Sequence, residues 1–240
     1  MSNVAVIIPA RINSSRLPKK ALADINGRTL IQRAVNCALK IKNCDIYVTT
    51  DSELIVENLK EIKFFNCIIT DSNLPSGTDR IAVALKNVSK KYDFIVNIQG
   101  DMPFFDHGII EKAIEKAKKL NLPITTLMYK TDSETANNTS RVKVVFEDQS
   151  LEISKAIYFS RSMVPHGANQ YSIHVGIYIY RTDILNKFVE LKPSNLEKQE
   201  SLEQLRAISN SIDIFLINIS ENLMSIDTIE DLENARKVLL

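Results

Sequence analysis

Cysteine is scarce in this sequence and shows no pairing pattern. Three occur among 240 residues (Cys37, Cys44 and Cys67), an odd number with no Cys-x-x-Cys spacing. That argues against a disulfide framework and fits reduced thiols in a cytoplasm. Long apolar runs are lacking too. The stretch Val4–Ile8 stops at Pro9, too short for a signal peptide, and nothing approaches the roughly 20 residues of a membrane span. Charge of one sign is not in excess: 30 Lys and Arg against 29 Asp and Glu leave a net charge of +1. The chain therefore has no global field to hold nucleic acid or a membrane surface. Glycine is rare, with six in all and none before Gly27. The segment after the first strand thus has neither the glycines of a Walker loop nor those of a dinucleotide fingerprint.

What the chain does have is apolar content, at 45%, sufficient for a full globular core. In the first half, Val4–Ile8, Asp45–Thr50, Cys67–Thr70 and Phe94–Ile98 read as strands. The segments Leu30–Leu39, Arg80–Val88 and the one around Ile109–Ala117 carry helical spacing. Asn26-Gly27 marks a turn, and Asp51 or Ser52 can cap a helix after the second strand. This alternation predicts an α/β fold with a mainly parallel sheet flanked by helices, ligands lying beyond the carboxyl ends of the strands. The second half reads differently. Ser140–Glu147, Ala156–Ser160, Ser172–Arg181 and Asp213–Asn218 are expected strands, Glu197–Ile208 a polar helix and Thr228–Leu240 a closing helix. No linker divides the chain, so one domain over 1–240 is expected. Its first part would span about 1–130, an inserted dimerisation or lid subregion with its own strands 131–225, and the closing helix 226–240.

Four cations crowd the ten positions from Arg11 to Lys20 in a chain with almost no net charge. Arg11, Arg16, Lys19 and Lys20, with Ser14, Ser15 and backbone N–H groups, can surround a polyphosphate. A solvated basic turn is the competing reading. Asp101, in Gln99-Gly100-Asp101 after a buried strand, is either a turn former or a ligand for Mg²⁺, which favours one or two carboxylates plus substrate phosphates. Asp227 is either a helix N-cap or, if Thr228-x-x-Asp231 forms its own capping box, free to reach a metal. His174 alternates with Gly176, Tyr178 and Tyr180 on one face of its strand, opposite Ile173, Val175, Ile177 and Ile179. It is either structural or directed at a ligand.

These residues also match a family pattern. Pro9-Ala10-Arg11-x-x-Ser14-x-Arg16-Leu17-Pro18-x-Lys20 resembles the opening signature of the 3-deoxy-manno-octulosonate (Kdo) cytidylyltransferases. The resemblance continues in order through Ser76-Gly77-Thr78-Asp79-Arg80, Val96-Asn97-Ile98-Gln99-Gly100-Asp101-x-Pro103, Val142–Val145, Tyr158-Phe159-Ser160-Arg161, His174–Tyr178, Leu202-Glu203-Gln204-Leu205-Arg206 and Asp227-Thr228-x-Glu230-Asp231-Leu232. It implies a nucleotidyltransferase fold of the GT-A type, a homodimer, and Mg²⁺-dependent joining of CTP to Kdo with release of pyrophosphate, for lipopolysaccharide synthesis. It implies Asp101 and Asp227 as metal ligands, with Arg11 and Lys20 catalytic beside them. Ala10, Arg11, Ser14, Arg16, Lys20, Ser76, Arg80 and Gln99 would bind the nucleotide, and Arg161, His174, Tyr178, Glu203 and Gln204 the sugar. Two positions depart from the pattern: Met102 stands where Glu is common, and Lys19 where glycine is common. An enzyme for another acidic sugar, such as 8-amino-Kdo, and a non-catalytic nucleotide-binding homologue are the alternatives. The presence of Asp101, Asp227 and Lys20 argues against the second.

Overall fold

The computed structural model of the chain describes residues 3–14, 16–148, 152–220 and 222–238, the last of these without its side chain. Ser15 of the opening loop and the last two residues of the expected closing helix lie outside the described residues. Two compact units emerge, Met1–Lys112 with Leu223–Leu240, and Ala113–Asn222. The second is thus an insertion in the first. The boundary falls inside a helix instead of near residue 130, and the chain end groups with the first unit.

The first unit begins with β1 (Val4–Ala10), the hairpin β2 (Asp24–Ile25) and β3 (Arg28–Thr29), and α1 (Leu30–Ala38). It continues through β4 (Asp45–Thr50), α2 (Glu53–Leu59), β5 (Asn66–Ile69), α3 (Gly77–Lys86) and β6 (Phe94–Asn97) to α4 (His107–Lys119), which runs on into the insertion. The strands β5, β4, β1 and β6 lie in that order, all parallel. Every residue of β1 and β6 is buried, as in strands covered on both faces, with Asn97 the polar member of β6. Local chemistry sets the helix starts. Thr29 and Gln32 form a capping box on α1, which buries Leu30, Ile31, Ala34, Val35 and Ala38 along one face. Asn26 and Gly27 both have positive φ, 49° and 81°, the conformation that a two-residue hairpin loop requires.

The inserted unit holds β7 (Ile124–Thr131), α5 (Ser133–Ala136), β8 (Lys143–Asp148), β9 (Ser154–Ser160), β10 (Tyr171–Arg181), α6 (Thr182–Glu190), α7 (Asn195–Glu200), α8 (Leu205–Ser209) and β11 (Ile214–Asn218). Its strands run β10-β7-β11-β9-β8, and β8 also pairs with β10 at Ile173 and Lys143, closing the set on itself. Among the described residues of this unit only the β11–β7 pair is parallel. β7 is a strand that periodicity did not reveal, because Thr125 and Thr126 interrupt its apolar pattern although both are fully buried. The single helix expected over 197–208 is two short ones. Ser201 adopts a left-handed φ of 53° after α7, and the chain folds back so that Arg206 Nε meets Glu197 Oε2 at 2.9 Å.

The chain ends in α9 (Ile229–Val238), which belongs to the first unit. Ile226, Leu232 and Ala235 pack against Leu17, Ile25 and Leu30, so the last segment is seated on the opening loop and the hairpin. Arg236 Nη2 donates to Asp24 O at 2.9 Å and Asn26 Nδ2 to Arg236 O at 2.8 Å, fixing the same contact with polar atoms.

Candidate functional site

Parallel strands end on one side of their sheet, and β1, β4 and β6 deliver three loops there. A cavity of about 780 Å³ opens at this edge of the first unit. Its walls include Ala10, Arg11, Ser14, Arg16, Lys19 and Lys20 of the opening loop, Ser76 and Arg80 of α3's start, and Gln99, Asp101 and Asp227. Every residue assigned to nucleotide or metal from the sequence lines this cavity.

Asp101 and Asp227 are 126 positions apart, yet one ammonium joins them. Lys20 Nζ lies 2.7 Å from Asp101 Oδ2 and 2.9 Å from Asp227 Oδ1, while Arg16 Nη2 reaches the same Asp227 oxygen at 2.8 Å. Asp227 is free for this because Asp231 takes over the capping work. Asp231 Oδ2 accepts from the backbone N–H groups of Asp227 and Thr228, and Thr228 Oγ1 accepts from Asp231 N. The Ile226 N–H donates to Asp101 O at 2.9 Å and ties the two acidic segments together. Burial pushes the Asp101 carboxyl above its ordinary range, and Asp227 adds to the push while Lys20 opposes it. Burial pulls the Lys20 ammonium down, but the two carboxylates outweigh it and raise it above its ordinary value.

Close backbone approach explains Gly100. A Cβ there would sit 2.9 Å from Pro9 O and 3.4 Å from Ala10 Cβ, so only glycine lets the β6 loop lie against the end of β1. Lys19, at the family's common glycine position, holds a left-handed φ of 53°. Met102, at the common glutamate position, is buried at 2% exposure and serves the core. Ser76 caps α3, accepting from Asp79 N at 3.1 Å.

Two contributions were not visible in the sequence. From the sequence Asp51 reads only as a helix cap, and Ser52 does that job, accepting from Leu54 N at 3.2 Å. Asp51 is instead buried behind the opening loop, where Oδ1 accepts from Ile12 N at 3.0 Å and Oδ2 faces Arg80 Nη2 at 3.5 Å. Lys143 is fully buried and its ammonium donates to the carbonyls of Arg141, at 2.7 Å, and of Arg161.

In the inserted unit, His174 and Tyr178 of β10 pack ring against ring at 5.3 Å, and Phe159 meets His174 edge-on at 5.2 Å. Burial lowers the His174 pKa to about 3. Burial also raises the Tyr178 phenol well above its ordinary range, with Tyr180 and Glu203 pushing the same way, so Glu203 faces this aromatic group. Gln204 is buried at 7% exposure, and among the described residues its Nε2 has no partner. Arg161 joins a different network. Its Nε donates to Glu200 O at 2.8 Å, Nη1 to Thr139 O at 3.2 Å and Nη2 to Ser201 O at 3.3 Å.

The cavity can hold an anionic chain against cations, with a pair of carboxylates at one end able to share a metal ion. Among the described residues no group of three or more His, Cys, Asp and Glu side chains converges, so a protein-only metal cage is not present there. Two carboxylates that already share one cation do suit a hard ion that completes its shell with substrate oxygens. No helix among the described residues is long and apolar enough to cross a membrane.

Comparison with known proteins agrees with this chemistry. The model of a family described as cytidylyltransferase matches residues 5–214. The chain is 43% identical over 237 residues to the 3-deoxy-manno-octulosonate cytidylyltransferase of Rickettsia prowazekii (strain Madrid E), covering 98% of this chain and 94% of that one. It is 42% identical over 238 residues to the enzyme of the same name from Rickettsia canadensis (strain McKiel), covering 98% and 96%. Among solved structures, a CMP:2-keto-3-deoxy-manno-octonic acid synthetase complexed with CTP superposes with a TM-score of 0.91 at 34% identity, covering 99% of this chain and 98% of that one. A UDP-glucose pyrophosphorylase complexed with UDP-glucose, at 15% identity and a TM-score of 0.71 over 100% of this chain and 98% of its own, shares the fold.

Proposed function

We infer the reaction from one premise: the chain belongs to the cytidylyltransferase family. It transfers the cytidylyl group of CTP to the anomeric hydroxyl of 3-deoxy-D-manno-octulosonate, giving CMP-Kdo and pyrophosphate for lipopolysaccharide synthesis. The observation that carries this reading is the meeting of Lys20, Asp101 and Asp227 at a cavity lined by Arg11, Arg16 and Arg80. The reaction joins two anions, CTP and a sugar acid, so neutralising charge is the main task.

Asp101 and Asp227 fit Mg²⁺ and would hold it as its protein ligands; the ion would supply positive charge to the phosphates and lower the pKa of the sugar hydroxyl. Lys20, held charged by the two carboxylates, neutralises phosphate oxygens next to them. Arg11 and Arg16 stabilise the pyrophosphate as it leaves, Arg as a planar fork that matches phosphate oxygens in pairs. Backbone groups of Ala10, with Ser14 and Ser76, cradle the nucleotide, and Gln99 and Arg80 read the cytosine edge. We assign the sugar acid to His174, Tyr178, Glu203, Gln204 and Arg161 of the inserted unit. The unpartnered Gln204 amide supports that assignment, since a buried donor without a partner costs about 1–3 kcal/mol unless a ligand supplies one. The engagement of Arg161 with three carbonyls supports a role in shaping this region as much as in touching the sugar. A homodimer working in the cytoplasm completes the proposal.

The test is pyrophosphate release from CTP and Mg²⁺ with a panel of acidic sugars that includes Kdo and 8-amino-Kdo. Kdo should be turned over fastest. Asp101→Asn and Asp227→Asn should lower turnover by about two orders of magnitude or more while circular dichroism stays unchanged. Near-native rates for both variants at saturating Mg²⁺ would defeat the metal assignment, and faster turnover of another sugar would defeat the choice of Kdo.

A further inference from the structure

A buried carboxylate needs a reason, because taking its charge out of water is costly unless partners replace the solvent. Asp51 has two, and both lead to the nucleotide cavity. It follows β4, whose last residue Thr50 lies beside Ala10 at the end of β1, so it sits where the opening loop departs. Its Oδ1 accepts from Ile12 N at 3.0 Å, fixing the backbone directly after Arg11. Its Oδ2 faces Arg80 Nη2 at 3.5 Å, and both side chains are only 4% exposed. The other end of that guanidinium donates to Thr70 Oγ1, whose hydroxyl in turn donates to Thr50 O at 3.2 Å. Arg80 lines the cavity and Asp51 does not.

The charges explain why an acid stands there. Burial lowers the Arg80 pKa, Arg11 pushes it the same way, and Asp51 opposes both. Arg11 and Arg80 therefore repel, and of the two acids that oppose this, Asp51 and the exposed Asp71, Asp51 is the buried one facing the Arg80 guanidinium. Helix capping does not require an acid here, since Ser52 already supplies the cap.

We propose that Asp51 is a positioning residue for the nucleotide pocket, setting both the loop backbone after Arg11 and the guanidinium of Arg80 without touching the nucleotide. This rests on the reading of the cavity as a CTP site. The full chain is titrated with CTP and Mg²⁺ in a calorimeter, with no sugar present, so that binding is read without turnover. Asp51→Asn keeps an acceptor for Ile12 N–H but removes the charge facing Arg80; Asp51→Ala removes both. Asp51→Ala should weaken CTP binding about tenfold or more, and Asp51→Asn by a smaller factor. The KM for Kdo should stay unchanged in both. In an Arg80→Leu background the loss caused by Asp51→Asn should shrink to less than about twofold, because the partner it acts through is gone. Should Asp51→Ala fail to fold, the near-isosteric Asn variant alone and in the double variant carries the test. Wild-type affinity in the variants that fold would overturn the proposal. So would an undiminished loss in the Arg80→Leu background, or an equal rise in the KM for Kdo. If the unaltered chain binds no CTP, the reading of the cavity fails and takes this inference with it. A wild type that binds CTP beside variants that match it overturns the inference alone.

Discussion

Acid should destabilise this protein through His174. The ring lies between Phe159 and Tyr178, and its Nε2 is 3.0 Å from Thr126 Oγ1. That hydroxyl is also 2.7 Å from Ile177 O and 3.0 Å from Val175 O, and neither carbonyl can donate to it. The hydroxyl's one proton goes to a carbonyl, so Nε2–H of a neutral imidazole donates to Oγ1. Burial takes the His174 pKa from the ordinary 6.5 to about 3. Between those values the unfolded residue takes up a proton that the native one refuses. Stability is therefore complete above pH 6.5 and falls as the pH drops towards 3. At pH 5 the unfolded residue is about 1.5 units below its midpoint, which at 1.36 kcal/mol per unit is about 2 kcal/mol. The ring keeps some exposure, so a loss of about 1–2 kcal/mol is expected. Urea unfolding at pH 7.5 and pH 5.0 would measure it, with His174→Gln as the reference, since glutamine keeps a neutral donor but cannot titrate. Parallel losses in the two proteins would refute the reasoning. At neutral pH the buried His174 ring is uncharged, so in the proposed sugar site it would contribute a hydrogen bond and no positive charge.

Gln204→Leu keeps most of the volume and removes the orphan amide. If that amide serves the sugar, the KM for Kdo should rise about five- to a hundredfold with the KM for CTP nearly unchanged, as steady-state kinetics with each substrate varied would show. Gly100→Ala drives a methyl group to 2.9 Å from the Pro9 carbonyl, a backbone atom that cannot swing away. It should lower stability by about 1–3 kcal/mol in thermal unfolding and reduce turnover by displacing Asp101; an unchanged Tm and kcat would show that the two loops have room to part.

The parts of the fold that were legible in the sequence are those where local chemistry and packing agree. β1 and β6 read as buried strands because apolar residues follow one another without alternation, and Asn26-Gly27 read as a turn because both residues tolerate positive φ. β7 was illegible because Thr125 and Thr126 are buried and pair with β10 and β11, a tertiary reason that no period of two reports. The break at Ser201 was illegible for the same kind of reason. A serine carries no breaker signal, and the turn serves the Arg206–Glu197 pair, which exists only once the chain has folded back. The site divides along the same line. Arg11, Lys20, Asp101 and Asp227 stand out in sequence because charge at a strand end needs an explanation, and their neighbours spell a family pattern. Asp51 does not stand out, because an acid beside a serine before a helix already has an ordinary reading as a cap. Its distinguishing property is burial against Arg80 and Ile12, and burial belongs to the folded chain. Charged groups that line a cavity present their chemistry and so announce it in the sequence. Groups that only hold them in place can look like any polar residue until the contacts are seen.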